Sequence, residues 1–186
     1  AQQGSFEITP WVGYRWGGGM STIARVRQFD TDPDMSYGLS LDFGLQRNSE
    51  VNLYWSHFSG DWKATLTTGA QTWGGPLNYD NIQLNGTWFA GRSMVTRPYF
   101  SAGLGASILS STNTETHGFF AVNVGAGIKR QIGGMLALRV EGRWFPTWIP
   151  PATGTWCDPF YCYNVGSGEY YDQFQAAAGL SFAMRK

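Results

Sequence analysis

The chain has 186 residues, of which 42% are hydrophobic, 16% aromatic and 14% charged, with 25 glycines and 13 acidic residues against 13 basic ones. That length suits one domain, its shortage of charge and excess of glycine favour strands and turns, and zero net charge removes the electrostatic footprint of a nucleic-acid binder. No run of about 18 to 20 apolar residues occurs, which excludes helical membrane spans and leaves strand spans open.

Eight segments in chain order show period-two alternation, the signature of a strand with two different faces. Phe6, Ile8, Val12 and Tyr14 oppose Glu7, Thr9, Gly13 and Arg15, with Pro10 marking an irregular first strand. Tyr37 to Leu45 sets Tyr37, Leu39, Leu41, Phe43 and Leu45 against Gly38, Ser40, Asp42 and Gly44. After the tight turn QRNSE, Val51, Leu53 and Trp55 oppose Asn52, Tyr54 and Ser56. Ile82, Leu84 and Trp88 oppose Gln83, Asn85 and Thr87. Phe100 to Ile108 and Phe120 to Ile128 each place large apolar residues against Gly, Ser, Asn or Lys. Met135 to Phe145 puts Leu136, Leu138, Val140 and Trp144 opposite Arg139, Glu141 and Arg143, and Phe174 to Met184 closes the series.

Connections alternate in length. Long ones fall at 17–34, 59–78, 110–118 and 146–168, and short ones follow each intervening strand. Eight strands with long connections at one end and short turns at the other fit an all-β, antiparallel, up-and-down barrel that spans a membrane as the single domain 1–186. An Arg or Lys facing lipid at mid-membrane costs about 2–4 kcal/mol, so the charged face is the interior. Glu7, Arg15, Asp42, Glu50, Lys129, Arg139, Glu141 and Arg143 then form an interior polar network of four acids and four bases, a salt-bridge plug. Aromatic residues cluster near strand ends: Trp16, Tyr37, Phe58, Tyr79, Phe119, Trp144, Tyr170 and Tyr171 toward the long connections, and Phe6, Trp88, Tyr99 and Phe182 toward the short ones. Two girdles at the lipid headgroups are expected from this grouping.

Cys157 and Cys162 lie close enough in WCDPFYCYN to close a local disulfide in an oxidising compartment, and a chain beginning at Ala1 reads as mature and exported. With His57 and His117 as its only histidines, the chain offers no four-ligand zinc pattern, so neither metal nor cofactor is expected. The last long connection carries candidate recognition residues Trp148, Trp156, Phe160, Tyr161 and Tyr163 for an extracellular protein or glycan. Arg25, Arg27, Asp30, Asp32 and Asp34 in the first are candidates for lipopolysaccharide contact.

The stretches RPYFSAGLGAS, NVGAGIKRQIGGMLALRVEGRW and QFQAAAGLSFAMRK resemble the small eight-stranded outer-membrane barrels of Gram-negative bacteria, of the outer-membrane protein A transmembrane-domain and opacity-protein type. The resemblance implies outer-membrane localisation, insertion by the barrel-assembly machinery, contact with outer-membrane lipid and lipopolysaccharide, a monomer, and a non-enzymatic role in envelope integrity. Relatives commonly end on an aromatic residue, whereas Met184, Arg185 and Lys186 end this sequence. Three other readings stand beside it: a weak small-solute channel or diffusion route for apolar compounds, a lipid A hydrolase, and a soluble lipocalin-like barrel. The hydrolase reading rests on His57 and Ser59, whose H-x-S spacing is similar to that of the outer-membrane lipid A 3-O-deacylases. In that family an acid completes a triad and an Asn follows the Ser closely. Here Gly60 and Asp61 follow Ser59 and the next Glu is Glu115 on a different connection, a spacing that does not guarantee a triad.

Overall fold

The structure, a computed structural model, describes the backbone of residues 5–18, 26–66, 72–91, 95–111, 114–149, 154–157, 162–165 and 169–184. Side chains are described for these except at 26–30, 62, 64–66, 72–74, 111, 114–117, 149, 154–157, 162–165 and 169–170. The strands are β1 (Phe6–Gly17), β2 (Val26–Thr31), β3 (Asp34–Gln46), β4 (Ser49–Leu66), β5 (Thr72–Phe89), β6 (Thr96–Ser111), β7 (Thr114–Gln131), β8 (Leu136–Ile149), β9 (Gly154–Cys157), β10 (Cys162–Val165) and β11 (Glu169–Met184).

Eight of them, β1, β3 to β8 and β11, pair antiparallel in a ring that closes through β1–β11 and β4–β5. The register can be followed once around: Phe6 opposes Phe43, then Val51, Gly86, Ala102, Val124, Trp144, Phe174 and finally Trp16. The circuit returns to β1 ten residues beyond its start, from Phe6 to Trp16. A stagger of this kind tilts the strands by about 35–45° and leaves an interior that side chains just fill.

Alternation is kept around the whole wall. Val12, Tyr14, Phe43, Leu53, Leu84, Leu104, Phe120, Val140 and Leu180 stand on the outside, half-exposed, while Ser, Thr, Asn, Gln and charged residues are buried inside. A surface that is apolar all round and an interior that is polar invert the arrangement of a water-soluble barrel. The outward belt ends at Asp80, His57 and Asp172 toward one end and at Ser49 and Arg130 toward the other.

Two expectations change here. The segments 59–78 and 110–118 are largely strand, because β4 and β5 run on to Leu66 and back from Thr72, and β6 and β7 extend to Ser111 and from Thr114. Beyond the end of β3 pairing at Phe58, β2 takes over as the neighbour of β4, from Thr31 opposite Trp62 to Val26 opposite Leu66, so 17–34 also contributes sheet. The segment 146–168 holds the end of β8 and the β9–β10 hairpin. Beyond the apolar belt the outward parity of β4 turns polar, with Ser59, Asp61, Lys63 and Thr65, while the other parity carries Gly60, Trp62, Ala64 and Leu66, so the apolar and polar sets exchange faces although backbone pairing continues.

The second change concerns the aromatic girdles. Trp16, Tyr37 and Trp144 face outward at one end, and Phe6, Trp88 and Phe182 at the other. Phe58, Tyr79, Phe119 and Tyr171 instead point inward, where with Leu77 and Leu109 they form an apolar layer across the barrel. Their parity is that of Ser56, Asn81, Ala121 and Gln173, which settles the matter. Tyr99 is also buried inside. The side chain of Tyr170 is outside the described residues.

Close packing of the interior requires glycine at particular wall positions. A Cβ at Gly38 would meet the Trp55 carbonyl oxygen and the Trp11 indole, and one at Gly127 would meet the Val140 carbonyl oxygen and the Tyr99 hydroxyl. Gly38→Val is expected to destabilise the folded barrel by about 1–3 kcal/mol, the usual cost of overpacking. Urea unfolding in detergent checks this, with Gly134→Val, where a Cβ meets nothing, as the neutral control.

Candidate functional site

Arg139, Glu141 and Arg143 alternate on β8, so all three project into the interior with the carboxylate between two guanidinium groups. Glu141 Oε1 accepts from Arg143 Nε at 2.6 Å, and Oε2 accepts from Tyr99 OH at 2.6 Å, Arg139 Nε at 3.0 Å and Arg143 Nη2 at 3.2 Å. Arg139 Nη1 reaches across to Asp42 Oδ1 at 3.0 Å, and Asp42 also accepts from Thr9 and Ser40. Nearer the short turns, Lys129 Nζ lies 2.7 Å from Glu7 and 3.3 Å from Glu50. Charges with this little water around them persist only when paired and hydrogen-bonded.

The network continues through amides. Arg143 Nη1 donates to Asn123 Oδ1 at 3.0 Å, and Asn123 Nδ2 donates to Gln83 and Asn85. Asn85 donates to Asn52, and Asn52 to Thr87. Beside this ladder the Arg143 guanidinium sits 4.1 Å from the Tyr54 ring centroid. Trp11 stacks on the same tyrosine, centroids 5.2 Å apart.

Arg15 does not join the acids. It is 0% exposed, and its Nε and Nη2 donate to Gln175 Oε1, with Nη2 also donating to Ser56 Oγ at 2.9 Å. Rings of Phe145, Tyr79 and Phe58 surround the guanidinium at 4.6, 5.5 and 5.8 Å. Cation–π attraction takes the place of a carboxylate here. The remaining seven charged residues therefore comprise four acids and three bases, and the fourth base lies a layer above them under the apolar cap. Sequence parity placed Arg15 inside but could not show which of the inward residues share its height.

His57 faces outward, and its Nδ1 lies 2.9 Å from Asp80 Oδ1 on β5. The acid beside His57 is thus Asp80 across the sheet rather than the nearby Asp61, a partner that only the register of β4 and β5 reveals. Ser59 is exposed on the same face, two residues further along β4, and no hydrogen bond joins it to His57 among the described residues. Above the belt, Lys63 and Asp32 approach to 2.6 Å, and this hydrogen bond raises the Lys63 pKa.

Trp148 is on the outer face of β8, 37% exposed. Phe160 and Tyr161 lie outside the described residues, and of Trp156 and Tyr163 only the backbone is described, directly opposed in the β9–β10 hairpin. Cys157 and Cys162 are register partners in that hairpin. The disulfide expected between them is not shown, because their side chains lie outside the described residues. Among the described residues no group of three or more His, Cys, Asp or Glu gathers to hold a metal.

No protein-family model matches the chain, and neither does any curated protein. Solved structures do. The outer membrane protein OprG from Pseudomonas aeruginosa aligns with a TM-score of 0.64 at 9% identity, covering 100% of this chain and 98% of that one. Outer membrane protein AlkL, solved in DMPC lipid bilayers, gives 0.62 at 14% identity over 100% of this chain and 92% of that one. The N-terminal β-barrel domain of Pseudomonas aeruginosa OprF gives 0.58 at 18% identity over 99% and 100%. The chain is an eight-stranded antiparallel barrel resembling known outer-membrane barrels.

Glu141 is the point where the interior is most sensitive. Glu141→Gln leaves two buried guanidinium groups without their shared anion and is expected to cost about 3–5 kcal/mol. Arg15→Met removes a cation that has no carboxylate to abandon and should cost less than half as much. Urea midpoints of the two variants, read by the fraction of heat-resistant compact band, test the order.

Proposed function

We propose that the chain is a non-enzymatic outer-membrane β-barrel of a Gram-negative bacterium, closed to solute flow, whose role is to support the envelope and carry the extended end of its sheet outside the cell. One observation carries this reading: an apolar outer belt surrounds an interior filled by side chains, in which the acids are ion-paired with Lys129, Arg139 and Arg143 and Arg15 is held by hydrogen bonds and aromatic rings. Such a wall is stable in hydrocarbon, and such a filling obstructs a water path. Likeness in fold to proteins named for the outer membrane supports the same location.

Two barriers in series argue for closure. Ion pairs and amides fill the half nearer the short turns, and the Phe58, Leu77, Tyr79, Leu109, Phe119 and Tyr171 layer crosses the other half. The short turns face the periplasm in this reading, and the barrel acts as a monomer inserted by the barrel-assembly machinery. Outer-membrane lipid and lipopolysaccharide surround it. Extracellular protein or glycan contact falls to the projecting strands and to the connection bearing Trp148, Trp156, Phe160, Tyr161 and Tyr163.

The decisive experiment is extraction and electrophoresis: the purified chain should require detergent and migrate faster unheated than boiled. Solubility without detergent would sink the proposal. In planar bilayers the protein should show no steady conductance, and Arg139→Ala alone should leave it closed because the apolar layer remains. A stable open level in the unmodified protein would favour the small-solute channel instead. Leu104→Arg, in the outward belt, should lower the stability of the bilayer-inserted barrel by about 2–4 kcal/mol, measured by denaturant titration in liposomes.

A further inference from the structure

Between β1, β3, β4, β8 and β11, below the Trp11–Tyr54 stack and beside Arg139, the interior contains a cavity of about 10 Å³. Trp11 and Arg139 both line it, at 6% and 4% exposure. Each has one buried N–H group, Trp11 Nε1 and Arg139 Nη2, that bonds to no protein atom. Every other nitrogen of Arg139 is engaged: Nε with Tyr99 and Glu141, and Nη1 with Asp42. Two buried donors without partners, on residues that line one small space, call for an acceptor in it. Ser40 Oγ, which donates to Asp42 and keeps lone pairs free, also lines the cavity and can accept in return, as can Glu141.

We propose that this cavity is a built site for one water molecule, which accepts from Trp11 Nε1 and Arg139 Nη2 and donates to Ser40 Oγ or Glu141. Its size is at the lower limit for a water and excludes anything larger. Carboxylates of Glu141 and Asp42 close by disfavour an anion. This water joins the aromatic stack to the ion-pair layer, and it gives Arg139 Nη2 an acceptor. The inference rests on the reading of a closed, packed interior and adds a ligand to it.

The test is nuclear magnetic resonance on the ¹⁵N-labelled chain refolded in detergent micelles. Trp11→Phe keeps an aromatic ring against Tyr54 and removes the indole N–H, so the indole resonance missing from that variant identifies Trp11. That resonance in the unmodified protein should show a cross-peak to water with the sign of a bound molecule tumbling with the barrel. A folded, heat-modifiable barrel whose Trp11 indole lacks this cross-peak would overturn the proposal. So would an indole resonance that shifts when chloride is exchanged for bromide or nitrate, since it would identify an anion. A chain with no heat-modifiable band would overturn the closed-barrel reading along with the water site, which separates the two failures.

Discussion

A closed wall of eight tilted strands gives each inward side chain very little room, and any charge placed there must find compensating partners within that space. Glu141 is where this constraint bears hardest. It accepts four hydrogen bonds from three residues and stands between two guanidinium groups on its own strand. The partners are then committed: Arg139 has to reach Asp42 with what remains of its fork, and Arg143 has to reach Asn123. From those two contacts the network extends over β1, β3, β5 and β7, so one carboxylate sets the conformations of residues distant in sequence. Replacing the whole group by apolar residues would give up this determinacy more than it would give up stability.

The same crowding explains why Arg15 resides among rings. Its layer is built from Phe58, Tyr79 and Phe145, whose ring centroids lie 4.6–5.8 Å from the guanidinium, and the glutamine opposite accepts two of its hydrogen bonds. The aromatics that looked like one class along the sequence thus do two different jobs. Trp16, Tyr37 and Trp144 offer an amphipathic edge to an interface, and Phe58, Tyr79, Phe119 and Tyr171 close the interior.

Much of this was legible from spacing alone, because a strand has only two faces and Leu136, Leu138 and Val140 cannot share one with Arg139 and Glu141. The inward parity of the eight charges follows from that rule, and the antiparallel up-and-down order follows from the alternation of long and short connections. What spacing could not supply was height. Register between β4 and β5 decides that His57 meets Asp80, and the ten-residue stagger decides that Arg15 stands above the acids and Asp42 among them. Strand ends were also hidden. From Ser59 to Leu66 the alternation reverses its sense, with Ser59, Asp61, Lys63 and Thr65 on the parity of the outward belt and Gly60, Trp62, Ala64 and Leu66 on the other, so the stretch no longer reads as a continuation of the lipid-facing strand although its pairing continues.

The β1–β11 seam has a consequence for how such a wall can be made. It pairs Phe6 with Met184, residues at opposite ends of the sequence, so it is the contact of highest loop-closure cost and the last that can form. Until β11 arrives, β1 presents an unsatisfied edge of twelve residues, flanked by an apolar surface that has no solvent of its own in water. Aggregation competes at every moment of that interval. Speed of closure, more than the final depth of the energy well, therefore governs whether the polypeptide reaches its native state, and a template that holds the β1 edge while the remaining hairpins accumulate would act as a catalyst of folding by occupying that one seam.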